Sequence, residues 1–100
     1  MSKSEATLRR EIAALKRKLV ALGDMRPGSL TIQSRKWGGE YCQLSYTHKG
    51  QGHTAYIPQE SRQVAEKQTA NYRRFRELIQ QWVDAEIELC ELILKEKTRN

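Results

Sequence analysis

Apolar residues near the N-terminus recur at helical spacing. The seam positions are separated by 4, 3, 4 and 3 residues and comprise Leu8, Ile12, Leu15, Leu19 and Leu22. This is the a/d spacing of a coiled coil, and it predicts a helix over residues 4–22. Ser4 followed by Glu5 suits the start of that helix, and Gly23 is placed to act as a left-handed C-cap. Pro27 then prevents the helix from continuing.

The period changes to two over residues 29–57. Apolar residues alternate with polar ones at Leu30 and Ile32, and again along the next strand. There one face holds Cys42, Leu44 and Tyr46, and the other holds Tyr41, Gln43, Ser45 and Thr47. Glycines mark turns within residues 35–39 and 49–52. The pattern predicts a three-stranded antiparallel meander with one apolar face, which requires a helix to cover it.

A third element runs without proline or glycine over residues 59–97. Its seam, with spacings of 3 and 4, comprises Tyr72, Phe75, Ile79, Trp82, Glu86, Leu89 and Ile93. A second apolar stripe, made of Val83, Ile87, Cys90 and Leu94, lies on an adjacent face. Such a helix is longer than a 100-residue globule is wide. We therefore expect part of it to pack on the first helix and part on another chain.

These elements predict an α+β fold within one domain, residues 1–100. A long antiparallel helical pair carries the small three-stranded meander between its helices. Glu86 is the polar residue of the second seam. Either it fixes register or oligomeric state opposite Arg9, Lys16 or a partner's cation, or the helix is rotated and Glu86 is solvated.

Charge divides the last helix into two halves. The chain carries a net charge of +6, with 18 Lys and Arg against 12 Asp and Glu. Residues 59–76 hold five cations and two acids, whereas residues 77–100 hold three cations and six acids. The basic half suits a polyanion, and the acidic half suits another protein.

Cations and one aromatic residue are the candidates for nucleic-acid binding. They are Arg35, Lys36, Trp37, Lys49, Arg62, Lys67, Arg73, Arg74 and Arg76. Long cationic side chains bind phosphate, and arginine adds bidentate geometry. Trp37 either stacks on a base or sugar, or folds back over the sheet. We expect that Lys49 and the loop of Arg35 and Lys36 can reach the half of the last helix nearer the hairpin, if the strands lie against the start of that helix.

Two further questions concern the basic half of the helix. Tyr72 and Phe75 lie on the predicted seam, so they are assigned to the core in preference to a stacking platform. Successive helical residues are about 100° apart, so at least Arg73 and Arg74 should project into solvent. Arg73 and Arg76 either remain available to phosphate or pair with Glu77 or Glu66 across helical turns.

The candidates for partner binding lie in the acidic half of the same helix. They are Trp82, Val83, Ile87, Leu89, Cys90, Ile93 and Leu94. An apolar strip of this length is unfavourable in water, so the pattern predicts a homodimer or a complex with a partner helix.

No catalytic constellation is present, and the sequence does not predict an enzyme. His48 and His53 are expected to face each other across a turn, without a third ligand for a metal, so no metal or cofactor is predicted. Cys42 and Cys90 are expected to be buried, reduced thiols. Neither a membrane-length apolar run nor a signal peptide is evident, which indicates a cytoplasmic protein without a membrane partner.

Four segments resemble an uncharacterised bacterial and archaeal family, a domain of unknown function sometimes found near mobile elements and transposase genes. They are Gly28-Ser29-Leu30, Tyr41 to Gly50, Tyr56-Ile57-Pro58-Gln59-Glu60, and Tyr72-Arg73-Arg74-Phe75-Arg76-Glu77-Leu78. The likeness covers about residues 22–92 and implies no established activity. It favours a role connected with mobile elements only through gene neighbourhood, which is association and not mechanism.

One departure from that family concerns zinc. Many members of that family look as if they carry a cysteine-rich insert, which resembles a zinc knuckle, between the first two strands. Here the segment is residues 34–40 and holds no cysteine. The resemblance therefore implies that zinc is absent and that any contact made by the knuckle would pass to Arg35, Lys36 and Trp37.

Two functions follow as hypotheses. The first is a small basic accessory protein that binds DNA or RNA, is not an enzyme, and is oligomeric through its helices. The second is a structural adaptor, or assembly subunit, that docks into a larger complex through its C-terminal helix.

Overall fold

The computed structural model describes residues 3–98 and confirms the α+β class. Its elements, in chain order, are α1 (Glu5–Val20), β1 (Ser29–Ser34), β2 (Glu40–His48), β3 (Gln51–Ile57) and α2 (Arg62–Thr98). A 3₁₀ turn at Gln59–Ser61 precedes α2, so the α-helix begins three residues later than the pattern predicted. The chain divides into two compact units, one of which is Gly23–Arg73. The other joins the residues up to Leu22 with those from Arg74 onward.

The N-terminus of α1 is capped as the sequence predicted. The Oγ of Ser4 accepts a hydrogen bond from the backbone N–H of Thr7 at 3.2 Å. This satisfies one of the unpaired donors of the first turn and is worth about 1 kcal/mol. Arg17 and Lys18 lie in the last turn, where positive charge is favourable near the helix C-terminus.

The other end of α1 differs from the prediction. Ala21 is the C-cap, in the right-handed conformation, and its N–H donates to the carbonyl of Arg17 at 3.1 Å. The expectation that Gly23 forms a left-handed cap is therefore wrong, because the helix has already ended with a right-handed last turn. Gly23 lies close to the side chain of Asn71 instead. A Cβ at that position would lie 3.3 Å from the side-chain nitrogen of Asn71.

Within the unit that contains α1, the two helices form an antiparallel pair. The buried cluster consists of Leu8, Ile12, Ala85 and Leu89, with Trp82, Leu92 and Ile93 packed against it. Lys16, near the end of α1, lies over the Trp82 ring. A hydrogen bond from Lys3 to Glu11, and then the charge of Glu11, raise the pKa of Lys3. Lys3, just before the start of α1, also lies close enough to Glu88 for that carboxylate to raise its pKa, so the chain directions are opposite. The predicted helical pair is thus present.

The seam of α2 is rotated relative to the predicted one. Leu78 and Ala85 are buried, with Leu78 fully inaccessible, whereas Ile79 and Glu86 are only half-buried. The buried positions at these two turns are therefore one residue earlier than predicted, whereas Leu89 is buried as predicted. Because the small Ala85 is buried in place of Glu86, the helices approach without removing the Glu86 carboxylate from water. Burying a carboxylate without a paired charge would cost free energy.

The other unit contains the sheet, whose strand order is β1-β2-β3 with antiparallel pairing throughout. The predicted alternation along β2 is confirmed, since Cys42 and Leu44 are buried and Tyr46 is half-buried. Ile32 on β1 is half exposed, so the cover of this packed face is incomplete at its edge.

The loop before β1 closes over that packed face. Gly28 has φ +146°, and a side chain there would collide with Leu44, so both conformation and space require glycine. The N–H of Arg26 donates to the carbonyl of Gln68 on α2 at 3.2 Å. Its guanidinium lies 4.5 Å from the centroid of the Tyr46 ring. The loop thereby links the sheet to the first turns of α2.

Candidate nucleic-acid interface and apolar helix face

The face of the sheet opposite Cys42 and Leu44 carries aromatic, amide and hydroxyl groups. Strand register places ten residues on it: Ser29, Thr31, Gln33, Tyr41, Gln43, Ser45, Thr47, Gly52, Thr54 and Tyr56. We call this set the open face. None of these ten described residues is acidic. A surface of this composition does not repel a polyanion.

Two tyrosines lie close together on the open face. The ring centroids of Tyr41 and Tyr56 are 6.4 Å apart, and the rings are tilted by 36°. Tyr56, on an edge strand, is 59% exposed. The guanidinium carbon of Arg35 lies 5.2 Å from the Tyr41 centroid, which is within cation–π range. A positive charge is therefore fixed beside an aromatic pair.

Glycines determine the position of Arg35. The β1–β2 turn is closed by a hydrogen bond from the N–H of Arg35 to the carbonyl of Gly39 at 3.0 Å. Another runs from the N–H of Gly38 to the carbonyl of Arg35 at 3.2 Å. Gly38 and Gly39 both have positive φ, which few other residues adopt without strain. This paired glycine turn returns the chain so that Arg35 reaches Tyr41 at the start of β2.

Polar side chains accompany the rings along the strands. The amide of Gln33 donates to Thr31 at 3.1 Å, and that of Gln43 donates to Ser45 at 3.4 Å. Amides and hydroxyls both donate and accept hydrogen bonds, as contacts to base edges and to a 2′-hydroxyl require.

Trp37 lies at the tip of the same turn, with 89% of its surface exposed. Of the two alternatives that the sequence left open, the structure excludes the one in which Trp37 folds back over the sheet. Lys36 beside it is also exposed. This end of the sheet therefore presents two cations and an indole to solvent.

Lys49 lies elsewhere. It occupies the β2–β3 turn with φ +53°, and the nine residues of β2 separate that turn from the one containing Arg35. At the rise of a strand this is about 30 Å. Successive turns of a meander lie at opposite ends of the sheet, so the expectation that Lys49 and the loop of Arg35 and Lys36 meet at one place is wrong.

The cations of α2 differ in their exposure. Arg73, Arg74, Arg76 and Lys67 are exposed, which confirms that Arg73 and Arg74 project into solvent. Arg74 forms an ion pair with Glu77 at 3.2 Å. The sequence had offered Glu77 as a partner of Arg73 or Arg76 instead. Arg62 is half-buried, and its Nε is buried without a hydrogen-bond partner. Arg62 is consequently the least accessible of the predicted phosphate ligands on the helix.

An apolar stripe lies in the acidic half of α2. Ile79, Val83, Ile87, Cys90 and Leu94 line a shallow groove of about 550 Å³, together with Trp82, Glu86 and Glu91. Val83, Ile87 and Leu94 are 46%, 52% and 65% exposed. This adjacent apolar face was anticipated from the sequence, and an uncovered strip of this kind is a common mark of an interaction surface.

The predicted partner-binding set requires one correction. Leu89 is 5% exposed and belongs to the buried cluster between α1 and α2, so it is not available to another protein. Trp82 and Ile93 are partly buried against that same cluster. The physical reason is that these three residues lie on the seam that packs against α1, so their side chains are already engaged within the chain.

Trp82 and Glu86 form a small structural unit at the edge of the groove. The indole Nε1 donates to the carboxylate of Glu86 at 3.1 Å, and the ammonium of Lys16 lies 5.2 Å from the Trp82 ring centroid. Glu86 is therefore at the flank of the seam, as in the rotated-helix alternative, but it is half-buried and bonded to Trp82 and not fully solvated.

The histidines and cysteines also differ from expectation. His53 pairs with Tyr46 and stacks on it at 4.9 Å, whereas His48 pairs with Gln51, so the histidines do not face each other. Cys42 is buried and free, but Cys90 is exposed, contrary to the expectation that both are buried. Among residues 3–98, no three His, Cys, Asp or Glu side chains are grouped so as to hold a metal ion. No helix in that range is long and apolar enough to cross a membrane.

The sequence reasoning did not select Tyr41 and Tyr56 as functional residues. The sequence did indicate the position of Tyr41, because alternation along β2 places it on the face of the sheet opposite to that of the buried Cys42. The register that brings Tyr56 beside it depends on turn geometry, which the pattern alone leaves open.

No family model, curated protein or solved structure matches this chain.

Proposed function

We propose that this protein is a small, non-enzymatic, nucleic-acid-binding accessory protein that assembles through its helices. The observation that carries the proposal is the open face, which lacks carboxylates and ends at a turn bearing Arg35 and Lys36. Phosphate-binding surfaces need accessible cations without neighbouring acids, since each carboxylate would cancel a phosphate contact.

The exposed arginines of α2 provide a further cationic surface. Arg73 and Arg76 have long, solvated guanidinium groups that can grip phosphate in a bidentate manner. The ion pair between Arg74 and Glu77 is exposed and contributes little, so a phosphate can replace the carboxylate at small cost.

Salt dependence tests this proposal. Affinity for labelled single-stranded and duplex DNA should be measured by fluorescence anisotropy at about 50 and 200 mM salt. Each phosphate contact releases counterions, so log affinity should fall with log salt at a slope of about 0.7–0.9 per contact. Binding that is absent, or that does not respond to salt, would contradict nucleic-acid binding.

A second candidate function is supported by the apolar stripe. A structural adaptor would dock α2 into a larger complex through Val83, Ile87 and Leu94, which are exposed despite their size. Binding of this kind depends on apolar burial and should hardly change between the two salt concentrations. The same titration therefore discriminates between the two functions.

A further inference from the structure

The open face has a feature that phosphate binding alone does not require, namely its pair of tyrosine rings. Tyr56 is largely exposed on an edge strand, where burial does not explain a large aromatic side chain. Tyr41 lies beside it with Arg35 over its ring. Every nucleic-acid base has a π-face that can stack on such rings, whatever its identity.

Ring spacing decides which form of nucleic acid fits. The two centroids are 6.4 Å apart, whereas adjacent nucleotides of one strand in a duplex rise by about 3.4 Å. Neighbouring bases that each rest on one ring must therefore be pulled apart from each other. An extended single strand permits this, but a base-paired, stacked duplex does not.

Charge and polarity on the open face agree with that occupant. Arg35 lies against the Tyr41 ring, within reach of a phosphate next to a base at that ring, and Lys36 extends the positive charge beyond the strand ends. Gln33 and Gln43 can hydrogen-bond base edges on either side of the rings. A protein partner with an apolar surface would leave the remaining donors and acceptors of these amides unsatisfied, and that would cost affinity.

The geometry points to the open face as a stacking platform for single-stranded nucleic acid, with Tyr41 and Tyr56 each holding one base and the Arg35 guanidinium moving off the Tyr41 ring to a phosphate beside it. This inference rests on the proposed nucleic-acid-binding function and adds the ligand form and the residues that select it. Specificity for sequence is not part of it, because stacking accepts all four bases.

Matched substitutions test the platform. Affinities of the parent, Tyr41→Ala with Tyr56→Ala, and Tyr41→Phe with Tyr56→Phe should be measured for a single-stranded DNA oligonucleotide, an RNA of the same sequence and the DNA duplex. Loss of a stacked base should weaken single-strand binding by roughly 5- to 150-fold for each ring. The phenylalanine variant keeps both rings and should bind like the parent. Val20→Ala, at an exposed position on α1 outside the open face, should also bind like the parent.

The outcomes separate this inference from the proposed function. A parent that prefers either single strand to the duplex, and loses that preference only in the alanine variant, supports the platform. Equal binding of single strands and duplex, unchanged in the alanine variant, overturns the platform and leaves nucleic-acid binding intact. A parent that binds none of the three ligands overturns both. An alanine variant that changes only the oligomeric mass assigns the face to protein contact and overturns the platform.

Cross-linking provides a measurement that does not depend on the stability of the alanine variant. A single-stranded oligonucleotide containing 5-bromouracil is irradiated with the parent protein, and the attached peptides are identified by mass spectrometry. Attachment within β2 near Tyr41 or within β3 at Tyr56 supports the platform. Attachment confined to α2 overturns it.

Discussion

At the scale of single residues, two glycines of positive φ illustrate how conformation and space act together. Gly28 has φ +146° and lies against Leu44, so any side chain there is both strained and obstructed. Gly50 has φ +79°, but no atom lies within 4 Å of the place its Cβ would occupy. The pair therefore separates the cost of backbone strain from the cost of overpacking.

Gly28→Ala should destabilise the protein more than Gly50→Ala. Strain alone costs about 1–2 kcal/mol, whereas displacement of the buried Leu44 adds about 1–3 kcal/mol. Urea denaturation, followed by circular dichroism, would measure both free energies of unfolding. Equal destabilisation by the two substitutions would show that Leu44 does not pack against Gly28 in solution.

At the scale of the elements, hydrophobic period proved sufficient for the type and order of the helices and strands. It also placed Cys42 and Leu44 on the packed face of the sheet. It was not sufficient for the seam of α2, where two apolar stripes lie on adjacent faces. Which stripe meets α1 depends on how closely the helices approach, and the small Ala85 decides this in a way that a count of apolar residues does not register.

Turn and cap positions were harder to predict for a related reason. Gly23 follows the last seam leucine, yet the residue that needs positive φ is Gly28, five positions later. Both are glycine in the sequence, and they differ in backbone conformation and in the neighbours that a Cβ would meet, Asn71 and Leu44 respectively. The exposure of the Tyr41–Tyr56 pair likewise arises from register across strands, which local pattern does not specify.

The exposed apolar stripe of α2 leads to a prediction about oligomeric state. Replacing Val83, Ile87 and Leu94 by serine should convert an oligomer of the parent into a monomer, because the apolar area that drives association is removed. Light scattering at tens of micromolar protein would measure the mass.

Val64→Ser is the matched control for that experiment. Val64 lies on the same helix and is 57% exposed, close to the exposure of Val83, but it is outside the stripe. Its replacement should leave the oligomer unchanged. A parent that is monomeric at this concentration, without a partner present, would contradict self-association.

At the scale of the whole molecule, the question is whether net charge or its location governs binding to nucleic acid. The chain carries +6, and part of any attraction to a polyanion is non-specific. Two arginine pairs allow the two contributions to be compared. Arg73 and Arg74 lie on α2, whereas Arg9 and Arg10 lie on α1, and all four are exposed. Each pair includes one arginine in a helical ion pair, with Glu77 and Glu5 respectively.

Arg73→Gln with Arg74→Gln should weaken binding to all sequences alike and should lower the salt slope by about one unit for each lost phosphate contact. Arg9→Gln with Arg10→Gln removes the same charge and should retain most of the affinity and the slope, since a site acts through local contacts. Both variants should fold with stabilities within about 0.5 kcal/mol of the parent, as surface substitutions usually do. Affinity measured at two salt concentrations separates the cases. Equal losses in the two variants would mean that net charge alone attracts the nucleic acid, and α2 would then cease to be a binding surface.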